Sequence, residues 1–398
     1  MNIIVLILVG LMGLASSVNA AGFRLADQDA KATGMANAYT AVADNASAVW
    51  YNPAAITNLE GTNVSLGTVM VVPSMEHKNT AANGGATDEI ASRLHIPPHF
   101  YATRKLNDQW SIGLGVNAPF GLSTEWERLT AFTRTVATKS KVQGVNYNLN
   151  GAYKLNDKFS FAAGLDYATV DAVLNRQFTD AIPANLDGDG TGMGYNVAAM
   201  YKHNDKWNFG ASYRSQIKVT LEGNLVTNTV APVEADLTLP DMLQVGAAYK
   251  FNDKWTFAAD VDYTNWTTYR NIIVVNQNTL AETKDIKNWK SVYAFRLGTE
   301  YKHSDAWKFR AGTFYDMNPV RDEHFETRVP DSDRIALAVG AGWNKNNFTV
   351  DVSYMYLMFL ERSITNTYAG TASTVNTTLD GKYNSSVHLP GITVGYKF

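Results

Sequence analysis

One short segment recurs along this chain and narrows what the chain can fold into. Tyr153-Lys-Leu-Asn-Asp-Lys-Phe-Ser-Phe161 returns as Tyr201-Lys-His-Asn-Asp-Lys-Trp-Asn-Phe209, as Tyr249-Lys-Phe-Asn-Asp-Lys-Trp-Thr-Phe257 and as Tyr301-Lys-His-Ser-Asp-Ala-Trp-Lys-Phe309, with starts 48, 48 and 52 residues apart. Weaker copies are Leu106-Asn-Asp-Gln-Trp110 and Trp343-Asn-Lys-Asn-Asn-Phe348. Asn and Asp bond to nearby backbone and tolerate left-handed conformations, so each copy reads as a tight turn between two strands. The flanks alternate with period two. Trp255, Phe257, Ala259, Val261 and Tyr263 share one phase, and Thr256, Ala258, Asp260, Asp262 and Thr264 the other. Such alternation gives a strand one apolar and one polar face. A soluble sandwich would bury the apolar face and wet the polar one, whereas a membrane barrel puts lipid outside and polar groups in the lumen.

Three features favour the barrel. The strands are about 11 to 15 residues long, where soluble sheets average about five or six. Aromatics cluster at strand ends beside the short turns, as membrane girdles do. The turns on one side are short, and connections on the other run from about 14 to 24 residues, the asymmetry of outer-membrane barrels. The competing reading, a soluble adhesin or propeller, has no use for girdles. The predicted fold is an all-β transmembrane barrel of 14 antiparallel strands with six short turns; the third strand is expected at 109–118, the fifth at 158–173 and the sixth at 192–204. Hydrocarbon forces closure, because an open edge leaves backbone groups unpaired. Composition agrees: only 18% of residues are charged, against about 25% in soluble domains. The net charge of −3 carries no signature of nucleic-acid binding. The absence of cysteine removes disulfide and thiol chemistry.

Residues 1–20 read as an export signal, with an apolar run from Ile3 to Leu14 and Val18-Asn19-Ala20 before the cleavage point. A membrane anchor is the alternative, and the run is short for one. Residues 21–60 do not alternate and are expected to form a small helical plug, or hatch, inside the lumen. Ala30 to Val42 would supply one short helix or two, and Pro53 can start a helical turn because its missing N–H is not needed there. A periplasmic tail is the other reading. Residues 61–398 would be the barrel. In the last strand Ile392, Val394, Tyr396 and Phe398 share a face, and the terminal Phe resembles the signal read by the outer-membrane barrel assembly machinery. The expected setting is the lipid and lipopolysaccharide of a Gram-negative outer membrane, and the expected state is a monomer.

The chain resembles the FadL family of outer-membrane long-chain fatty acid transporters, which also includes importers of aromatic hydrocarbons. The resemblance rests on Gly22-Phe23-Arg24-Leu25, on Gly34-Met35-Ala36-Asn37-Ala38-Tyr39, and on Ala43-Asp44-Asn45-Ala46 leading into Asn52-Pro53-Ala54. Further matches are Pro119-Phe120-Gly121 with Trp126, Leu239-Pro240-Asp241-Met242, and the stretch from Trp289 through Asp316, Pro319 and Val320 to Pro330-Asp331-Ser332-Asp333-Arg334. It implies a passive channel for long-chain fatty acids, with no enzymatic activity, cofactor or metal; uptake of neutral aromatic or aliphatic hydrocarbons is the alternative. A general porin would need an open lumen, against which the plug argues, and an adhesive barrel would have no interior ligand pocket.

The resemblance also assigns roles. Phe23, Asn52, Pro53 and Ala54 belong to the hatch. A kink in the third strand would open the wall sideways, and Gly113, Gly115 and Pro119 are the residues suited to it; the other reading is a strand that ends at Pro119. External capture would use Trp126, Leu129 and Phe132 on an amphipathic loop helix near Arg128 and Arg134, unless these residues pack loop on loop. Arg176 and Lys290 would receive a head group, with solvated charges as the alternative, and Phe178, Phe314, Met317 and Phe325 would line the pocket. His95 and His99, separated by Pro97-Pro98, do not read as a metal site. Arg321-Asp322-Glu323-His324 reads as a solvated loop face, and Asn185 to Gly190 only hints at a calcium loop.

Overall fold

A computed structural model describes residues 22–127, 129–179, 181–365 and 377–398. The expected export signal lies outside the described residues. Among them, fourteen strands pair antiparallel with their sequence neighbours, and the last closes on the first. They are β1 (Thr62–Val69 continued by Val72–Asn79), β2 (Thr87–Glu89 continued by Pro98–Lys105), β3 (Trp110–Glu125), β4 (Lys139–Lys154), β5 (Phe159–Thr179), β6 (Ile182–Lys202) and β7 (Trp207–Arg214 continued by Ile217–Val226). The second seven are β8 (Val230–Leu239 continued by Met242–Lys250), β9 (Trp255–Thr264 continued by Asn271–Asn276), β10 (Glu282–Ile286 continued by Val292–Lys302), β11 (Trp307–Asp316), β12 (Arg334–Lys345), β13 (Phe348–Phe359) and β14 (Gly381–Lys397).

The six repeated turns fall where the sequence puts them, and most of them share one mechanism. In four of them the Asn side chain accepts the N–H groups two and three residues on: Asn107 from Gln109 and Trp110, Asn156 from Lys158 and Phe159, Asn204 from Lys206 and Trp207, and Asn252 from Lys254 and Trp255. Lys–Asp pairs close the same turns, with Lys154 to Asp157 at 2.8 Å and Lys250 to Asp253 at 3.0 Å. Neighbouring turns are linked as well, because the N–H of Lys202 donates to the carbonyl of Lys158 and that of Lys250 to Lys206.

The alternation is inside out. Trp255, Phe257 and Val261 are 37%, 45% and 41% exposed, while Asp260 and Asp262 of the opposite phase are 2% and 1%. Arg296 and Arg334 also point inward and are buried. Trp110, Phe159, Trp207, Trp255, Trp307 and Phe348 ring the barrel beside the turns. Membrane-facing apolar groups are therefore the exposed ones, and the core is a polar lumen filled by the N-terminal segment.

Between Gly22 and Thr57 only Asp44 is exposed. The segment contains α1 (Ala30–Thr33), capped by the Asp29 side chain accepting from the N–H of Ala32, α2 (Ala48–Tyr51), and a 3-10 turn Pro53–Asn58 that starts on proline. The expected helix between Ala30 and Val42 is thus shorter; Ala36 and Asn37 take left-handed φ values of 53° and 59°. The chain there lies almost on the wall. Gly298 and Gly312 are register partners on β10 and β11, and a Cβ on either would come within 2.5 Å of the Met35 backbone.

The external half departs from the expected spans. β5 and β6 are 21 residues each, so Asn185 to Gly190 continue a ladder and do not form a calcium-type loop. About 9 to 11 residues suffice to cross the bilayer, so this hairpin stands well beyond it. β3 also continues past Pro119 to Glu125.

Candidate functional site

The lumen wall holds the hatch through inward-facing charges from the polar phase of the strands. Asp260 on β9 accepts the N–H groups of Tyr39 and Thr40 at 2.9 and 2.8 Å. Asp262, two residues on and so on the same face, pairs with both Arg24 of the hatch and Arg296 of β10. Arg214 on β7 donates to the carbonyls of Val49 and Trp50 and to Asp166, with its guanidinium carbon 4.0 Å from the Trp50 ring centre. At the N-terminal end, the N–H of Gly22 donates to Asp331 at 2.8 Å. Burial pushes the Asp331 carboxyl up to about 6.

The four residues assigned to the hatch are all inside it. The Asn52 side chain donates to the carbonyls of Thr40 and of Ala199 on β6 and accepts from the N–H of Ala54. Pro53 and Ala54 begin the 3-10 turn. Phe23 is 1% exposed and sits within an aromatic cluster, with ring centres 4.6 Å from Trp266, 5.4 Å from Tyr269, 5.9 Å from Trp289 and 6.1 Å from Phe120.

The third strand is irregular at one of its three expected residues. Gly113 and Gly115 pair in regular register with both neighbours. Their role is close approach, since a Cβ on Gly113 would lie 2.6 Å from the Val49 side chain of the hatch. The slip occurs between Asn117 and Phe120, where β3 carries one residue more than β4 and Pro119, unable to donate, sits in the bulge. The hatch satisfies the freed backbone. Leu25 N–H donates to the Pro119 carbonyl at 2.8 Å, Gly121 N–H to Phe23 at 2.7 Å, and the Gln28 side chain to the Ala118 carbonyl at 3.0 Å. The hatch therefore seals the edge that the bulge exposes.

Two cavities flank this seal. The outer one, about 710 Å³ with its mouth, has Phe23 and Tyr269 at one end and Leu122, Val142, Leu174, Leu237 and Ile272 among its apolar walls. Its cation, Arg328, comes from the segment after β11 and is paired with Glu326 and with Asp285 at 3.3 Å. Lys287 is fully buried beside them and pairs with the same two carboxylates. Burial alone would raise the Asp285 carboxyl, yet Lys287 and Arg328 hold it below its ordinary range. Asp187 and Asp236 also reach the lining. The deeper cavity is narrow, about 390 Å³ only when the open space at its mouth is included, and lies between Trp50 of the hatch and the wall around Pro119, Phe120, Asn146, Arg214 and Met242. A three-residue step makes room for it, because both Arg214–Met242 and Ile217–Leu239 face inward on either side of Ser215–Gln216 and Pro240–Asp241.

The structure redistributes the other assigned residues. Arg176 on β5 is half-buried and close enough to feel the charges of Arg328, Asp285 and Glu326. Lys290 is exposed and faces an outer polar recess with Arg321 and Glu361, so the buried cation is Lys287, three residues earlier. The side chain of Phe178 lies outside the described residues. Phe314 points inward, under Arg296 at 4.6 Å, and packs with Ala36 and the β12–β14 wall, away from the cavities. Met317 is 37% exposed. Phe325 is buried against Tyr383 and Arg362 in the external cap. Trp126 is also buried there, 2% exposed, and donates to the Thr327 carbonyl at 3.0 Å. The expected capture helix is absent among the described residues, which form turns after β3. Leu129 alone of the capture set is exposed, and Phe132 is half-buried with its N–H on Asp88. Sequence reasoning missed Trp266, Tyr269 and Lys287. The aromatic run Trp266–Tyr269 was a legible signal, but it reads as strand until the excess residues on β9 are seen to leave the ladder as a 3-10 turn.

Residues 11–398 match the model of the outer membrane protein transport family (OMPP1/FadL/TodX). The chain is 27% identical over 387 residues to the long-chain fatty acid transport protein of Salmonella typhi, covering 84% of this chain and 87% of that one. It is 26% identical over 426 residues to a 47 kDa outer membrane protein of Pasteurella multocida, covering 97% and 96%. Among solved structures, a Pseudomonas aeruginosa FadL homologue superposes with a TM-score of 0.84 at 19% identity, over 95% of this chain and all of that one. The Ralstonia pickettii toluene transporter TbuX gives 0.70 at 17% identity, over 96% and 99%. These two likenesses establish a common fold.

Proposed function

Because the chain belongs to the OMPP1/FadL/TodX family of outer membrane transport proteins, and is a channel for hydrophobic small molecules and not an enzyme, we propose that its cargo is neutral: monoaromatic or aliphatic hydrocarbons. One observation carries this reading. The outer cavity is lined mainly by apolar side chains, and its cation is already paired with protein carboxylates. A carboxylate head group would have to share Arg328 with Glu326 and Asp285, and it would enter a lining that also holds Asp187 and Asp236. A neutral ring needs only the apolar walls and the edges of Phe23 and Tyr269. The molecule passes from the outer cavity to the deeper one, the hatch segment Phe23–Gln28 releases the β3 bulge, and the cargo leaves sideways at Pro119. The export signal in residues 1–20, assembly through Phe398 and a monomeric state complete the proposal.

The names of relatives such as the Salmonella typhi protein favour fatty acids as the second reading. Binding of toluene and of oleate to the purified protein separates the two. Toluene is expected to bind, and Arg176→Ala and Lys290→Ala to change its affinity less than about twofold. Tight oleate binding that drops tenfold or more in Arg176→Ala would overturn the neutral reading.

A further inference from the structure

We propose that three consecutive short turns form a binding surface for anionic phospholipids of the periplasmic leaflet, with head groups of the phosphatidylglycerol type. The turns join β4 to β5, β6 to β7 and β8 to β9. Each carries two lysines around one aspartate, as in Lys154, Asp157 and Lys158. The first lysine of each turn, Lys154, Lys202 or Lys250, takes that aspartate at 2.8, 3.2 and 3.0 Å. The second, Lys158, Lys206 or Lys254, is exposed and makes no ion pair among the described residues. The turns are held side by side, because the N–H of Lys202 donates to the Lys158 carbonyl and that of Lys250 to the Lys206 carbonyl, each at 2.8 Å. They stand two strands apart, roughly 10 Å. Three unpaired cations therefore line one sector of the rim. In the other three turns Gln109, Ala306 and Asn347 take the same place, directly before the aromatic residue.

Two features favour lipid over a soluble acidic partner. Each unpaired lysine directly precedes a membrane-facing aromatic that packs on a tyrosine of the next strand. The ring centres are 4.6 Å apart for Phe159 and Tyr201, 4.5 Å for Trp207 and Tyr249, and 4.7 Å for Trp255 and Tyr301. Aromatic girdles settle at the level of the lipid head groups, so the amines stand where the phosphates are. The same turns also expose apolar side chains, Leu155 at 51% and Phe251 at 56%. Such groups suit the boundary of a bilayer, and a soluble partner held by charge alone would leave them in water. The short turns of an outer-membrane barrel face the periplasm, which puts the row beside the phospholipid leaflet. Lysines near a membrane surface attract anionic lipid over a Debye length, and the row carries no aspartate of its own to cancel it.

Electron spin resonance of the full-length protein in phosphatidylcholine bilayers tests this, with spin-labelled phosphatidylglycerol and spin-labelled phosphatidylcholine as the probes. The wild type is expected to hold phosphatidylglycerol about fivefold more strongly at low salt, with the difference fading at high salt. The combined variant Lys158→Gln, Lys206→Gln and Lys254→Gln should bring the two lipids level. Its heat-dependent gel mobility should stay native, because Asn156, Asn204 and Asn252 still hold the turns. Lys78→Gln, Lys284→Gln and Lys382→Gln together remove the same charge from exposed positions on the external side and should keep the preference. A wild type that holds both lipids equally overturns the surface. So does a preference that the rim variant keeps or that the external variant abolishes. If the wild type shows no lipid preference but retains purified peptidoglycan through the three rim lysines, the partner is the cell wall and the lipid assignment fails.

Discussion

The two ends of this barrel are built by different rules. On the turn side the same hairpin is repeated, its Asn side chains caught by the backbone N–H groups that follow and its aromatics spaced by the strand period. On the external side the register slips in β3, the ladder steps at Ser215–Gln216 and Pro240–Asp241, and β9 extrudes the turn carrying Trp266. The hatch seal and both cavities lie at these interruptions. Regular pairing consumes every backbone group and leaves no room for a ligand, whereas each interruption frees groups that the hatch or the cap must satisfy. The candidate site sits where the ladder is incomplete.

The comparison can be broken most severely at the bulge. Deleting Pro119 equalises the residue count of β3 and β4 between Asn117 and Phe120 and continues the inward phase through Phe120 and Leu122. Toluene uptake into proteoliposomes should fall more than about tenfold while heat-dependent gel mobility, a measure of barrel integrity, stays native. Uptake at the wild-type rate would show that the irregular half is not the exit.

A smaller effect is expected where the two halves share the hatch. Arg24→Met removes one of the two cations on Asp262 and the donor to Thr264 at 2.7 Å. Asp262 keeps Arg296, so the cost stays below the ~3–5 kcal/mol of a buried charge left alone, but the hatch should loosen and steady ion conductance in planar bilayers should rise. A channel as silent as the wild type would mean that the remaining wall contacts suffice.

The smallest effect belongs to the regular end. Asn156→Ala loses two turn hydrogen bonds, worth about 1 kcal/mol each in net terms. The unfolding midpoint should shift slightly and uptake should be unchanged. A large loss of uptake would erase the distinction between the halves.

Legibility followed the same division. The strand phases, the six turns and the buried hatch could be read because each depends on neighbours in sequence: a period of two, an Asn two residues before the N–H it accepts, a proline at the first helical position. The site was read unevenly. Phe23 lies in the hatch and Pro119 in the β3 bulge, as expected, but Gly113 and Gly115 serve close packing, and Trp126 and Phe325 are buried cap residues where exposed or cavity-lining ones were expected. Lys290 and Lys287 are three residues apart on one segment, and nothing local distinguishes them. Which one is buried depends on Glu326, 39 residues from Lys287.

The sequence by itself determined that this chain turns its polar phase inward, because charges recurring in mid-strand opposite a continuous apolar phase have no other stable place in a lipid-bounded sheet. Tertiary structure alone decided which of those charges remain available to a ligand. Arg328 pairs with Glu326 beside it and with Asp285 from a separate strand, and Arg214 has its Nη groups engaged by the hatch and by Asp166. The physical reason is that a buried charge is defined by the atoms around it, and those atoms arrive from strands and loops that only closure of the barrel brings together.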